Sequence, residues 1–151
     1  MKSLVIYESF YGNTEAVAKA IAAELSTAGE VKVSKISLAA GDMSEVDLLV
    51  IGCPIIQWKP SEGMSAFLDR LAPDAVRGLH LACFDTRMHL PKFLTGEAGQ
   101  TMNDLLESMG GIPISAPGRF YVRGRQGPLD RKELEHAAAW AKELIMQIDV
   151  V

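Results

Sequence analysis

The chain has 151 residues, of which 48% are hydrophobic and 23% charged, and its net charge is −4. This length fits one domain over residues 1–151, and the acidic balance argues against nucleic acids and anionic membranes as partners. The sequence shows neither a signal peptide nor an apolar run of membrane-spanning length, so we predict a cytoplasmic protein.

The first half of the chain alternates apolar strands with amphipathic helices. Leu4–Tyr7 is rich in β-branched and aromatic residues, which is typical of a strand buried on both faces. Val17, Ile21 and Leu25 then recur every four residues, which predicts a helix over residues 14–27. The remaining predictions are a weaker strand over 31–36, a loop at Gly41-Asp42, a strand over Leu48–Ile51, and a helix from Ser61 to Ala72.

The second half continues the alternation. A fourth strand is predicted over Leu79–Phe84, followed by a long loop and then a helix over Thr95–Met109. The extended segment Ile112–Val122 contains two breaks, at Pro113 and at Pro117-Gly118, and is expected to bend near a sheet edge. Asp130–Glu133 has the form of a capping box before the last helix. The apolar stripe predicted for that helix is Leu134, Ala138, Ala141, Leu144, Ile145 and Ile148.

Five strands alternating with helices predict an α/β protein, in which a parallel sheet is covered by helices on both faces. Ligands of such sheets bind beyond the carboxyl ends of the strands, where the strand order reverses. The loops over residues 8–14, 53–60 and 85–94 therefore become the candidate site.

The loop between the first strand and the first helix has the composition of a phosphate site. It reads Ser9, Phe10, Tyr11, Gly12, Asn13 and Thr14. Ser9 and Thr14 supply hydroxyls and Asn13 an amide, while Gly12 lets the backbone approach a ligand or take a positive φ. The following helix directs its free N–H groups to the same place, which favours a phosphate. Because the loop has no Lys or Arg, neutral dipoles would hold that phosphate.

The loop differs from two common nucleotide sites. A P-loop requires G-x-x-x-x-G-K-[ST] and a dinucleotide-binding turn requires G-x-G-x-x-G, and the chain contains neither pattern. Taken alone, the loop is equally compatible with an ordinary capped turn between a strand and a helix.

The whole pattern resembles the flavodoxin family, whose phosphate loop follows the first strand in the form [ST]-x-[TYF]-G-x-[ST], here Ser9–Thr14. Phe84–Arg87, Gly127–Leu129 and Ala139–Ala141 are similar to segments of short, single-domain bacterial members. The resemblance covers nearly the full chain. It implies a flavodoxin-like, doubly wound, five-stranded parallel sheet in the order 2-1-3-4-5, with FMN as the cofactor.

The loop after the third strand is expected to flank the flavin ring, because the equivalent loop does so in flavodoxins. Trp58 offers the isoalloxazine a flat aromatic face; the alternative places it in a surface groove or a protein interface. The family often has Ser or Thr at Cys53 and Thr-Tyr at the two following isoleucines, so the ring's surroundings here differ from the usual ones. The candidate contacts are Pro54, Ile55, Ile56, Gln57 and Trp58.

The third loop begins with Asp85, Thr86 and Arg87, where flavodoxins pass their backbone beside the pyrimidine edge of the flavin. The resemblance implies that Asp85 accepts a hydrogen bond from the flavin N3–H and that Thr86 satisfies a carbonyl oxygen. Flavodoxins are usually acidic around the flavin, which lowers its potential. A cation at Arg87, with His89, would make this flavin easier to reduce; the alternative is a solvated Arg on a mobile loop.

The remaining titratable residues form no motif for catalysis or metal binding. His80 and His136 have no second pair of ligands at metal-binding spacing, and the G-x-S-x-G elbow is missing. We therefore predict no catalytic residue and no metal.

Two further groups of residues have open interpretations. Arg119, Arg123 and Arg125 are expected to solvate the end of the fifth strand, and an acidic partner protein is the weaker alternative. Cys53 and Cys83 lack C-x-x-C spacing and are expected to be buried, reduced thiols, although a redox pair is compatible with their places near strand ends.

Three functions fit these observations. The first is an electron carrier, in which FMN supplies the redox chemistry and a reductase and an acceptor protein are the partners. The second is an FMN-dependent NAD(P)H:quinone or azo reductase, although such chains are longer. The third is a flavin-free binding module of the same fold. The sequence favours the carrier, as a monomer or weak dimer.

Overall fold

The computed structural model describes residues 1–39 and 43–149, so the loop predicted at Gly41-Asp42 lies outside the described residues. The strands in that part of the chain are β1 (Lys2–Tyr7), β2 (Glu30–Lys35), β3 (Leu48–Ile56), β4 (Lys59–Pro60), β5 (His80–Met88), β6 (Ile112–Pro113) and β7 (Gly118–Val122). The α-helices are α1 (Asn13–Leu25), α2 (Glu62–Asp69), α3 (Lys92–Thr95), α4 (Gly99–Ser108) and α5 (Glu133–Asp149).

The main sheet is parallel and has the order β2-β1-β3-β5, with β6 and β7 pairing in turn with the outer side of β5. The two-residue strand β4 folds back antiparallel onto the end of β3. If β6 and β7 are counted as the two halves of the fifth predicted strand, the observed order is the predicted 2-1-3-4-5. The α/β fold class is therefore confirmed, and the break between β6 and β7 falls at the predicted prolines.

Apolar side chains from both faces of the sheet form two cores. Helices α1 and α5 cover one face, where Val17, Ile21 and Leu144 are fully buried against β1, β3 and β5. Helices α2 and α4 cover the other face through Met64 and Met102. Each fully buried side chain of this size stabilises the fold by roughly 1.5–3 kcal/mol relative to an exposed one. The alternating pattern of strands and helices in the sequence thus leads directly to a three-layer arrangement.

Two central strands are longer than their apolar runs. The predicted ends were Ile51 for β3 and Phe84 for β5, but the strands continue to Ile56 and Met88. Polar residues can extend β5 because they are paired rather than solvated, and residues 84–88 align in register with β7. The residues that the sequence placed in two loops therefore lie largely on rigid strands.

The helices also depart from their predicted limits. The helix predicted over Thr95–Met109 is divided into α3 and α4, and Gly96 lies between them with a φ of 80°. Helix α2 ends at Asp69 rather than near Ala72. A glycine in the left-handed region interrupts the helical hydrogen bonds, which explains the division.

The capping box predicted before the last helix is wrong. Helix α5 begins at Glu133 itself, and this carboxylate accepts a hydrogen bond from the backbone N–H of Tyr121 at 2.7 Å. The apolar stripe is shifted accordingly: Ala137 is fully buried, whereas Leu134 is 47% exposed. The residue pattern identified the helix, but a tertiary contact with β7 takes the place of the local cap.

No helix among the described residues has both the length and the apolar character needed to cross a membrane.

Both cysteines are buried free thiols in the core beneath α2 and α4. Burial raises the pKa of Cys53 to about 12 and that of Cys83 further still. Thiolates are the reactive form, so neither residue is set up for thiol–disulfide chemistry in the folded chain.

We expect the native protein at pH 8 to react with a thiol reagent such as 5,5′-dithiobis(2-nitrobenzoic acid) only as fast as it unfolds. Denatured protein should release two equivalents at once, since the chain has two cysteines. Prompt reaction of either thiol in the folded protein would contradict this description of the core.

Candidate functional site

Hydrogen bonds join four segments at the carboxyl edge of the sheet. The loop after β1 is linked to β5 through the hydroxyls of Thr14 and Thr86, which lie 2.8 Å apart in the interior. The β3–β4 turn is linked to the segment before α4, because the N–H of Glu97 donates to the carbonyl of Trp58 at 3.1 Å. All three predicted loops therefore meet at one edge, as the parallel topology requires.

The loop over residues 9–14, which we term the phosphate loop after its predicted ligand, leads directly into α1. Gly12 precedes the helix with a φ of 88°, and a Cβ built on it would meet nothing within 4 Å. The first intrahelical bond runs from the N–H of Ala16 to the carbonyl of Gly12 at 3.0 Å, so the N–H groups of residues 13–15 precede it and are available to an anion.

Side chains shape this loop in two ways. Ser9 Oγ accepts the N–H of Gly12 at 3.1 Å, and its own O–H proton remains available as a donor. Thr14 is buried and directs its hydroxyl at Thr86, below the loop, while Phe10 and Tyr11 are 55% and 52% exposed. The loop thus combines an open backbone cradle with two aromatic side chains at its rim.

A further segment, around Gln126 and Gly127, closes over the phosphate loop and is absent from the sequence prediction. The amide of Asn13 donates to the carbonyl of Gln126 at 3.2 Å. A Cβ on Gly127 would lie 2.8 Å from that amide, and Gly127 has a φ of 105°. The segment Gly127–Leu129 enters the sequence prediction only through its family resemblance and has no place in the predicted site. Gly127 is the signal in the sequence that could have indicated this close approach.

Trp58 lies on a tight β-hairpin turn. Ile56 pairs with Lys59 across the turn, and the two residues between them, Gln57 and Trp58, have φ values of 51° and 68°. Two successive positive φ angles define a type I′ turn, which normally uses Asn and Gly. A residue other than glycine at a positive φ destabilises the backbone by roughly 1–3 kcal/mol, and such strain is concentrated at ligand sites.

The turn is held from one side by the segment before α4. Trp58 forms a bridge with Gly96, where a Cβ would lie 2.2 Å from the Trp58 backbone. The indole nevertheless remains 63% exposed. A rigid backbone therefore presents an open aromatic face, which suits contact with a planar ligand.

A buried group of charges underlies the site at the end of β5. Arg87 Nε and Nη2 donate to the carboxylate of Asp85 at 2.8 and 2.6 Å, and Nη2 also donates to Glu97 at 2.6 Å. The second Asp85 oxygen accepts the N–H of Gly99 at 2.8 Å, at the start of α4. Arg119 and Lys92 approach the far side of Glu97 at 3.3 and 3.8 Å.

These contacts set the charge states of the group. Burial alone would lower the pKa of Arg87, but the bonds to Asp85 and Glu97 raise it above its ordinary value. Burial opposes ionisation of Glu97, yet Arg87 and Arg119 hold its pKa below the usual range. Arg87 is therefore neither a solvated side chain nor an uncompensated cation, and its proposed effect on the flavin potential loses its physical basis.

A cleft of about 390 Å³ opens beside the phosphate loop, and Ser9 and Gly12 form part of its wall. The Tyr7 hydroxyl donates to Glu15 at 2.5 Å within it; burial and this carboxylate raise the pKa of Tyr7 to about 12. Lys35 and Arg70 line the same cleft. The sequence interpretation of a phosphate loop without cations did not include these two residues from β2 and the end of α2.

The predicted residues therefore divide into two groups. Ser9, Gly12, Asn13 and Trp58 lie at the open edge, whereas Asp85, Thr86 and Arg87 are buried at 0%, 5% and 7% exposure. The described residues contain no group of three or more His, Cys, Asp or Glu side chains placed to hold a metal.

Comparison with known proteins gives a consistent result. A family model described as the flavodoxin domain matches residues 4–148. No curated protein sequence matches the chain. Among solved structures, a flavodoxin from the domain Archaea aligns with a TM-score of 0.82 and 21% identity, over 99% of both chains.

Two other structures show the same fold in different settings. Oxidised flavodoxin 1 from Bacillus cereus aligns with a TM-score of 0.78 at 18% identity, over 97% of this chain and 98% of that one. Rubredoxin oxygen:oxidoreductase from Desulfovibrio gigas aligns with a TM-score of 0.78 at 14% identity, over 99% of this chain but 36% of that chain. At these identities the likeness establishes the fold alone.

The buried charges generate a stability prediction. Arg87→Met would leave the fully buried Asp85 carboxylate without its cation, and we expect the free energy of unfolding at pH 7 to fall by about 3–5 kcal/mol. Lys92→Met is the matched control: this side chain is 69% exposed, so its loss should cost less than about 1 kcal/mol. Urea denaturation measures both. Equal, small losses would show that the charge group does not hold this edge together.

Proposed function

Because the chain belongs to the flavodoxin domain family, we propose that it binds FMN at the carboxyl edge of its sheet and carries electrons between redox proteins. Membership supports a flavin-binding, electron-transfer role in general. The choice of FMN rests on one observation, the open cradle formed by Gly12 and the first turn of α1. Such a cradle fits a terminal phosphate monoester, which FMN has and riboflavin lacks.

The phosphate would be held mainly by dipoles. The N–H groups of residues 13–15 and the Ser9 hydroxyl are the donors, and the helix dipole of α1 adds a favourable field for an anion. Hydrogen bonds to a charged acceptor are worth about 1.5–3 kcal/mol each. Lys35 and Arg70, which line the cleft next to this loop, would add attraction over a longer range.

The flavin ring would lie toward the β3–β4 turn. Trp58 offers an exposed indole on a rigid turn, and Ile56 is 38% exposed beside it. Asp85, Thr86 and Arg87 support the site from below, since their side chains are engaged within the protein. Backbone groups at the end of β5 remain candidates for contacts with the ring, in place of the side-chain contacts implied by the resemblance.

Bound flavin supplies the redox chemistry, so the protein has to bind and orient it and to tune its surroundings. An electron carrier needs an exposed edge for a partner rather than a second substrate pocket. The indole of Trp58 is 63% exposed at this edge of the sheet, which favours a carrier over a reductase.

The test uses two glycines that share a positive φ angle and open space around a Cβ. Gly12 and Gly78 have φ values of 88° and 74°, and neither would meet an atom within 4 Å if a Cβ were added. Gly12→Val should weaken FMN binding about 100-fold, which corresponds to ~2.7 kcal/mol, and leave riboflavin binding within threefold. Gly78→Val carries similar backbone strain away from the phosphate loop and should leave FMN binding unchanged. Fluorescence titration of flavin-free wild type and both variants, with FMN and with riboflavin, measures these affinities.

Equal effects of the two substitutions, or equal affinity for FMN and riboflavin, would contradict the phosphate assignment. The reductase alternative has a separate readout: purified holoprotein that oxidises NAD(P)H with a quinone, without added reductase, would replace the carrier proposal. A carrier should show no such turnover and should accept electrons only from a reducing partner.

A further inference from the structure

Charge is unevenly distributed along the chain. Residues 85–132 contain seven of the 15 Lys and Arg residues but only five of the 19 Asp and Glu residues, so this segment carries +2 and the remainder −6. This segment includes the ends of β5 and β7 and the loops that follow them. A net acidic protein thus has a cationic region at the edge where we place the cofactor.

Three of the five carboxylates in this segment are paired with cations. Asp85 is paired with Arg87, and Glu97 contacts Arg87, Arg119 and Lys92. Asp130 is bonded to His89 and lies 3.4 Å from Arg123. Four cations, namely Arg87, Lys92, Arg119 and Arg123, balance these three carboxylates, so this group of charges carries no net negative charge.

Five exposed cations surround the edge, and we term them the cationic rim: Lys59, Lys92, Arg119, Arg123 and Arg125. In the part of the chain that the structure describes, Lys59 and Arg125 take part in no ion pair. Lys59 closes the Trp58 turn, and Arg125 immediately precedes Gln126, whose carbonyl receives the Asn13 amide. Free cations therefore lie next to both ends of the proposed flavin site.

Exposed apolar side chains lie within this rim. Phe93 on α3 is 79% exposed and Trp58 is 63% exposed. An apolar centre with a charged border is the usual anatomy of a specific protein–protein interface. An extended polyanion or a membrane would also contact the rest of the chain, whose net charge of −6 would repel it. A compact face of a partner protein would contact the rim alone.

We propose that the cationic rim docks an electron-transfer protein whose own docking face is acidic. The inference rests on the proposed function, because the docked partner gives its electron to the flavin. In that step one electron leaves the reduced metal cluster of the donor and enters the flavin, so the donor is oxidised and the flavin is reduced by one electron. Because the rim is positive and the rest of the chain is negative, the field of an acidic partner would orient the protein as the two approach each other.

The test uses a plant-type [2Fe–2S] ferredoxin of net negative charge as the probe. Chemically reduced ferredoxin is mixed with the holoprotein in an anaerobic stopped-flow instrument, and flavin reduction is followed per bound flavin. The second-order rate should fall about tenfold between 20 and 300 mM salt, because such steering is screened. The variant Lys59→Glu/Arg125→Glu should be about tenfold slower at low salt and equal to wild type at high salt.

Arg77→Glu provides the matched control, since Arg77 is exposed before the amino end of β5, at the opposite edge of the sheet. It should change the rate less than twofold. Cationic cytochrome c, tested as an acceptor from the reduced holoprotein, should react faster as salt rises. A ferredoxin rate that is independent of salt or equally affected by both variants would overturn the proposal.

Flavin-free protein separates this inference from the proposed function. Its retention on immobilised oxidised ferredoxin should be abolished in Lys59→Glu/Arg125→Glu and preserved in Arg77→Glu, whether or not FMN binds. Equal retention of the two variants would overturn the docking surface even if FMN binds as proposed. Stronger binding to phosphatidylserine vesicles than to ferredoxin would overturn it as well, in favour of a membrane.

Discussion

The carboxyl edge of the sheet depends on a buried carboxylate, Asp85. An ionised side chain with no solvent exposure needs cations and hydrogen-bond donors around it. The two partners of Asp85 come from two different elements, β5 and α4. Arg87 supplies two N–H groups from the same strand, and the N–H of Gly99 comes from the start of α4. Glu97 then extends the network to Arg119 on β7.

This network explains why the site is rigid beneath and open above. Strand β5 continues through its polar residues because they are paired, and the segment around Gly96 and Glu97 is fixed where it meets Trp58. The strained turn at Gln57 and Trp58 is therefore held by contacts outside itself. Preorganisation of this kind reduces the conformational entropy that a site loses when a ligand binds.

The sequence predicted the features that arise from local periodicity and from topology. Apolar runs and helical spacing identified five strands and the helices that cover them, and the parallel order placed three loops at one edge. It failed where long-range polar contacts decide the structure. The sequence predicted Asp85, Thr86 and Arg87 to be loop residues. Nothing in the local sequence indicates their hydrogen-bond partners, which are Gly99, Thr14 and Glu97.

The same reason explains why the segment at Gln126 was missed and why the predicted cap is wrong. Gln126 enters the site through its backbone carbonyl, which no side-chain motif can indicate. Glu133 fits the spacing of a capping box, yet its carboxylate accepts a hydrogen bond from the N–H of Tyr121 on β7. Local rules located the turn over residues 9–14 and the start of α1 because these residues are contiguous. They could not find contacts that exist only once the sheet has formed.

The central claim is that dipoles at the start of α1 hold the dianionic phosphate of FMN. Phosphorus-31 NMR of the FMN complex tests it directly, because a free phosphate monoester takes up a proton near pH ~6. Donors at Ser9 and residues 13–15 favour the dianion, so the bound resonance should keep its chemical shift between pH 5 and 8. A resonance that titrates together with free FMN would place the phosphate in solvent and contradict the account.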